Sequence, residues 1–464
     1  MRSKLDTARL LPTEPAVRAV AEGLYEKVAK LPIISPHGHV DPQLLLKNEP
    51  FSNPAELFIY FDHYVTRVLH SAGFSLEDLG KGKNPNPRKA WAILCSNWNL
   101  FAGTSSGYWL SHEFATLFGI TDTPNSANAD TLYDLISSEL LEEKMLPRAL
   151  FEKFKIEFLA TTDDPCDDLS AHAALAADKT FKGKVVPTFR PDLYLDPRTG
   201  KFQERVNKLL NLAGKTEVTY ANYLAALVER RKYFIEHGAV SSDHGVYEPY
   251  TVQLSEATAS QLFDQSMAGS IGDSDAREFA GHMLMQMARM SCDDKLVMTI
   301  HAGVFRNHSS KTFEKFGADT GHDIPVQVEF VNNLRPLLDE YGLNPNLKVI
   351  LFSIDESTWG REIAPLAGFY PSVFIGAPWW FLDAPDSATR FREATTEIAG
   401  FYKGSGFIDD TRAFLSIPAR HDMARRVDCA YLARLVCESR ITLAQAEEIA
   451  LDLVVSVPKR AFNL

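Results

Sequence analysis

Cysteine is scarce: five in 464 residues, with no C-x-x-C pair and no regular spacing, leave no disulfide framework and speak for free, mostly buried thiols in a reduced compartment. Positive charge is also short. Lys and Arg number 48 against 60 Asp and Glu, and the net charge of -12 argues against a nucleic-acid surface, which rests on phosphate-neutralising cations, while leaving room for a local arginine cluster that binds a small anion. No apolar run approaches about 18 residues, and the N-terminus carries no apolar leader, so a membrane span or export signal is not expected and the chain reads as cytoplasmic. Neither G-x-G-x-x-G after the first strand nor G-x-x-x-x-G-K-[ST] occurs, which removes support for a nucleotide-binding doubly wound sheet. Fixed-period repeats and low-complexity tracts are absent too.

What remains is a composition of 45% hydrophobic and 23% charged residues, ordinary for a globular chain able to bury a large core. Apolar residues from Val17 to Val28 recur at helical spacing, predicting a lead-in helix over 15–30. Residues 33–39 follow, a short apolar run ending in His37-Gly38-His39. On a strand, residues two apart face the same way, so both imidazoles can converge on one ion; an isolated H-x-H is otherwise ordinary loop chemistry. From about 41 to 157 the chain is rich in Leu, Phe, Trp and Tyr and broken by prolines, which predicts a helical insertion too long for a simple loop.

Thereafter short apolar strands alternate with helical stretches: 158–163, 184–190, 239–244, 296–301, 348–354, 372–377 and 405–410. With the opening strand the count is eight. Eight such units predict a (β/α)8 TIM barrel within a single domain over 1–464, with a C-terminal helical cover from Arg420. In that fold the C-terminal strand ends form one ring. The polar residues at those ends are His37 and His39, Asp163, Arg190, Asp243 and His244, His301, Asp355, Trp379 and Trp380, and Asp410 with Arg412. Singly, each is an ordinary cap or turn residue; together they share a pocket.

All of these residues but Asp355 lie in stretches that resemble a known family. SPHGHVDP, FDHYVTR, ATTDDP, PTFRPD, SSDHGV, TIHAGVFRNHS, GAPWWF and GFIDDTRAFLSIPARHDMARR, in that order from residue 35 to about 426, are similar to uronate (glucuronate) isomerases of the amidohydrolase superfamily. The resemblance implies a barrel of the amidohydrolase type that interconverts D-glucuronate with D-fructuronate, and D-galacturonate with D-tagaturonate, in hexuronate catabolism. It implies a divalent metal, zinc by preference, on His37, His39 and Asp410, with Asp410 chosen over Asp409 because it precedes Thr411-Arg412.

An aldose–ketose shift through a cis-enediol needs a base near C2 and fixed positive charge for the developing oxyanion. Tyr64, paired with His63, is the candidate base, provided its pKa of about 10 is lowered; Asp410 is the rival. Arg190 and Arg412, with Arg306 as a third, suit the substrate carboxylate. His301, Asp243, Trp379 and Trp380 complete the expected substrate pocket. The partner is a small hexuronate, and the apolar content is compatible with a homo-oligomer. The alternative is a metal-dependent hydrolase (lactonase, amidase or deaminase) on the same scaffold, disfavoured by Ser242-Asp243-His244 where a carbamylatable lysine would stand.

Overall fold

Continuous apolar runs such as Val349–Ser353 and Val297–Ala302 bury every residue, as strands covered on both faces must. In the computed structural model, which describes residues 5–464, seven strands run parallel, and not all of them are buried throughout. β1 (Ile33–Ser35), β2 (Ile156–Ala160) and β3 (Lys184–Val186) pair in that order. β4 (Ser241–Val246) pairs with β5 (Val297–Ala302); β6 (Val304–Phe305) and β7 (Ile324–Pro325) form a small antiparallel ribbon, and β8 (Val349–Ser353) and β9 (Val373–Ile375) continue the main sheet beyond β5. Bridges from Asp163 to Phe189 and from Phe189 to Ser242 join β2, β3 and β4 into one wall.

The expected eighth strand is not a regular one. Residues 404–411 take its place without regular structure, bridged to β9 at Ile375–Gly404 and to the segment after β1 by the His39 amide on the Thr411 carbonyl at 3.0 Å. Gly406 interrupts the ladder with φ +75°, pressed against Pro458, which a Cβ would meet at 2.7 Å. Closure is thus made by single bonds rather than a ladder, and the architecture is a (β/α)8 barrel with one irregular position.

Between β1 and β2 the insertion is helical, as its composition predicts. It includes Pro42–Lys47, His63–Ser71, Pro87–Ser96, Ser105–Leu117, Ala129–Glu139 and Pro147–Lys153, around a core of Phe58, Trp91 and Phe114. The helices Ile417–Cys437, Leu443–Val454 and Ser456–Ala461 form the C-terminal cover. Arg425 ties that cover to the start of the chain by donating to the carbonyls of Val28, Leu31 and Pro32. Among the described residues no helix is long and apolar enough to cross a membrane. Four of the five cysteines are buried and none is paired, as expected.

Candidate active site

A cavity of about 1060 Å³ opens over the C-terminal strand ends, lined among others by His39, His63, Tyr64, Arg190, Arg306, Trp379, Trp380, Asp410 and Arg412. His37, Asp243 and His301 stand just behind that wall, all buried. The twelve residues expected to bind metal, bind substrate or carry the chemistry therefore gather at one end of the barrel.

His37 and His39 are not on the strand. β1 stops at Ser35 because Pro36 has no amide to continue the ladder, and the His-Gly-His turn follows as loop. Its shape is set by Thr162 Oγ1, which donates to the Gly38 carbonyl at 2.7 Å, and by the bond from His39 to Thr411. Opposite them Asp410 has φ +38°, a left-handed conformation rare outside glycine, so strand alternation does not aim its side chain. That kink separates two neighbouring carboxylates. Asp409 turns inward, 3.0 Å from His421 Nε2, while Asp410 Oδ1 lies 2.9 Å from His39 Nε2 and 3.4 Å from His37 Nε2.

These separations lack hydrogen-bond angles, and Asp410 Oδ1 is buried without a hydrogen-bond partner among the described residues. Atoms so arranged aim at a shared point. A tetrahedral cation with bonds of about 2.1 Å has ligand–ligand edges of about 3.4 Å, so the donor set fits a divalent metal. A second grouping, His37 with Asp243 and His301, is closed by its own bonds: His301 Nδ1 lies 2.6 Å from Asp243 Oδ1, which also accepts from Thr299. His301 Nε2, unpartnered and 4.0 Å from Asp410 Oδ2, points toward the first set. Its ring is held by stacking on Phe352 at 4.1 Å and on His37 at 4.7 Å.

Burial opposes ionisation of Asp243 and Asp410, yet His301, His37 and Arg190 hold Asp243, and His37 and His39 hold Asp410, well below the usual carboxylate range. Burial also pushes His39 down.

His63 and Tyr64 reach the cavity from the insertion because Asp62 caps their helix, accepting from the amides of Tyr64 and Val65 at 2.9 and 3.2 Å. Their rings stack at 4.7 Å. Burial, then Arg412, pushes His63 down to about 3, so the imidazole is neutral. The expected lowering of Tyr64 does not occur: burial raises the phenol further, and Arg420 only partly offsets this. Burial beside Trp109, together with the nearby carboxylates of Asp383, Asp410 and Asp62, disfavours phenolate there.

The arginines are not free either. Arg190 Nε donates to Asp192 Oδ2 at 2.8 Å and lies 3.5 Å from Asp243. Arg306 pairs with Asp323 at 3.0 Å and lies over Trp380, and Arg412 pairs with Asp319 at 2.8 Å. Trp379 is buried edge-on to His301 at 4.7 Å, a wall rather than an open floor. His244 and Asp355 stay outside: one bonds the Thr299 carbonyl, the other caps the following turn.

Sequence reasoning missed Asp192, Asp319, and the buried pair Asp383–Arg420, whose guanidinium packs 3.5 Å over Trp109 beneath Tyr64. Asp192 and Arg420 sit inside the quoted PTFRPD and IPARHDMARR stretches; Asp319 had no signal at all.

Comparison with known proteins identifies the family. The glucuronate isomerase family model matches residues 15–462. The chain is 49% identical over 459 residues to a uronate isomerase of Corynebacterium efficiens, with 98% of each chain covered. Its fold superposes on the crystal structure of a Caulobacter crescentus glucuronate isomerase with TM-score 0.96 at 45% identity, covering 98% of this chain and 96% of that one. A Thermotoga maritima uronate isomerase gives TM-score 0.93 at 27% identity, over 99% and 100%. Nearly the whole length of the chain, and not the barrel alone, carries the likeness: the protein belongs to the glucuronate isomerase family.

Proposed function

We propose that this protein is a cytoplasmic uronate isomerase that interconverts D-glucuronate with D-fructuronate and D-galacturonate with D-tagaturonate. The family match over residues 15–462 carries the reading. The convergence of His37, His39 and Asp410 beside three arginines in one cavity supports it.

His37, His39 and Asp410 would hold the cation, zinc by the type of donors, and once bound it would polarise the sugar oxygens and stabilise negative charge on them. Arg190 and Arg412 bind the C6 carboxylate and orient the open chain, with Arg306 on Trp380 closing that side. The C2 hydrogen leaves as a proton, a cis-enediol forms, and the proton returns at C1 while the hydroxyl proton passes from O2 to O1. Asp410 is the better base, through Oδ2 or once its carboxylate leaves the cation, since Oδ1 is the oxygen that faces His37 and His39. Tyr64 keeps its proton at working pH and donates it in a hydrogen bond to the sugar oxygen, with neutral His63 stacked behind it. Asp243 holds His301 in one ring orientation toward Asp410.

The test is an assay of purified protein with D-glucuronate and D-galacturonate, before and after chelation, following ketose formation. Ketose from either sugar, lost on chelation and restored by zinc, is the expected result; hydrolysis of lactones or amides without ketose formation would overturn the reading.

A further inference from the structure

The ring of strand ends holds one buried acid–base group that the isomerisation above leaves idle. Asp163 follows β2, between His39 beyond β1 and Arg190 beyond β3, and its side chain forms part of the cavity wall. The Arg190 amide donates to its carbonyl at 3.1 Å. Asp163 Oδ2 accepts from Thr161 Oγ1 at 2.6 Å and from the Thr188 amide at 3.2 Å. Thr161 Oγ1 is in turn 2.7 Å from Nε2 of His172, a buried residue on the helix Ser170–Ala177. His172 Nδ1 has no partner among the described residues. Carboxyl, hydroxyl and imidazole thus form one chain. Its free end is Asp163 Oδ1, which has no hydrogen bond among the described residues and lies 3.8 Å from His172 Nε2.

Binding the Thr188 amide would need only an amide oxygen; a carboxyl adds the ability to exchange a proton. Burial lifts Asp163 to about 7 against its two hydrogen bonds, and pushes His172 down to about 4, so the carboxyl exchanges near neutrality while the imidazole stays uncharged.

A hexuronate in water is almost wholly a cyclic hemiacetal, whereas proton transfer between C2 and C1 needs the open-chain aldehyde. We propose that Asp163, held by Thr161 and backed by His172, opens the hemiacetal ring of the bound sugar, giving the cavity a ring-opening activity besides isomerisation; this rests on the hexuronate reading above. The Asp163 carboxylate takes the proton of the O1 hydroxyl, C1=O forms as C1–O5 breaks, and the same proton passes from Asp163 to O5. O1 and O5 share one carbon, so one carboxyl serves both and no net proton is consumed. Thr161 and His172 are positioning residues.

Single-turnover ketose formation from D-glucuronate with excess zinc-loaded enzyme tests this. Wild-type enzyme converts the sugar in one phase, indifferent to added phosphate, a general acid–base catalyst of ring opening in solution. Asp163→Asn gives a small fast phase from the open-chain fraction and then a phase slower by about tenfold or more, which speeds up with phosphate but not with more variant. Thr161→Val, which keeps the volume and breaks the chain, gives the same two phases with a smaller loss, and it decides the matter if Asp163→Asn does not fold. A single phase at the wild-type rate, or a slow phase that rises with variant and ignores phosphate, would overturn the proposal. Absence of ketose with wild-type enzyme would instead refute the isomerase reading.

Discussion

Arg412 Nη1 lies 2.8 Å from Asp319 Oδ2 at the cavity mouth, each side chain 41% exposed. A pair this open is weakly held, and a substrate carboxylate can displace Asp319 from the guanidinium. Asp319→Asn is expected to lower KM about threefold with kcat within about twofold, since it removes a competitor worth under about 1 kcal/mol. Arg412→Met is expected to lower kcat/KM by about tenfold or more with an unchanged circular dichroism spectrum. Steady-state kinetics on both variants checks this.

Loss of an imidazole from the donor set should cost the metal. His37→Ala is expected to hold less than about a tenth of the metal found in wild-type protein, measured by elemental analysis after dialysis, with turnover falling in parallel. Full metal content in the variant would move the site elsewhere.

Because Tyr64 retains its proton, Tyr64→Phe is expected to slow turnover about tenfold while leaving exchange of the C2 hydrogen with solvent deuterium measurable by NMR. Exchange abolished with turnover would make the phenol the base.

Gly245 gives Arg190 its position: a Cβ there would meet Arg190 Nη2 and Asp192 Oδ2, each at 2.8 Å. Gly245→Ala should displace the guanidinium and raise KM about tenfold, with thermal stability lowered by about 1–3 kcal/mol at most. An unchanged KM would take Arg190 out of carboxylate binding.

His244 is fully buried, bonds the Thr299 carbonyl through Nδ1 at 2.9 Å and leaves Nε2 unpartnered among the described residues; burial pushes it down to about 4. The unfolded chain binds a proton there at about 6.5, so between these values the unfolded state holds more protons and stability is lost as pH falls. The loss from this group is about 3 kcal/mol between pH 7 and pH 4. Urea unfolding at the two pH values should show a correspondingly smaller drop for His244→Gln.

Strands such as β5 and β8 were legible as apolar runs because parallel strands buried on both faces have no polar side to disguise them, whereas β4, Ser241–Val246, was marked by only a short apolar lead and its place in the alternation. The eighth was legible as a position and not as a conformation, since the left-handed turns at Gly406 and Asp410 come from closing the barrel against Pro458 and β1. The long insertion was readable from its prolines and aromatics, but its contribution of Tyr64 and His63 to the cavity depends on a cap by Asp62 and packing on Trp109. Arg190 and Arg412 were visible as strand-end arginines. Their acidic partners were not, because Asp319 comes from the loop between β6 and β7, and nothing local marks it.

The order of strands and helices, and the types of group standing at each strand end, are properties of the linear chain: periodicity and burial demand act over a few residues and leave their pattern there. Which carboxylate meets His37 and His39, which guanidinium is already paired, and whether Tyr64 loses or keeps its proton were decided only when the barrel closed. Those outcomes depend on distances of a few ångströms between residues hundreds of positions apart, and on the loss of water around them.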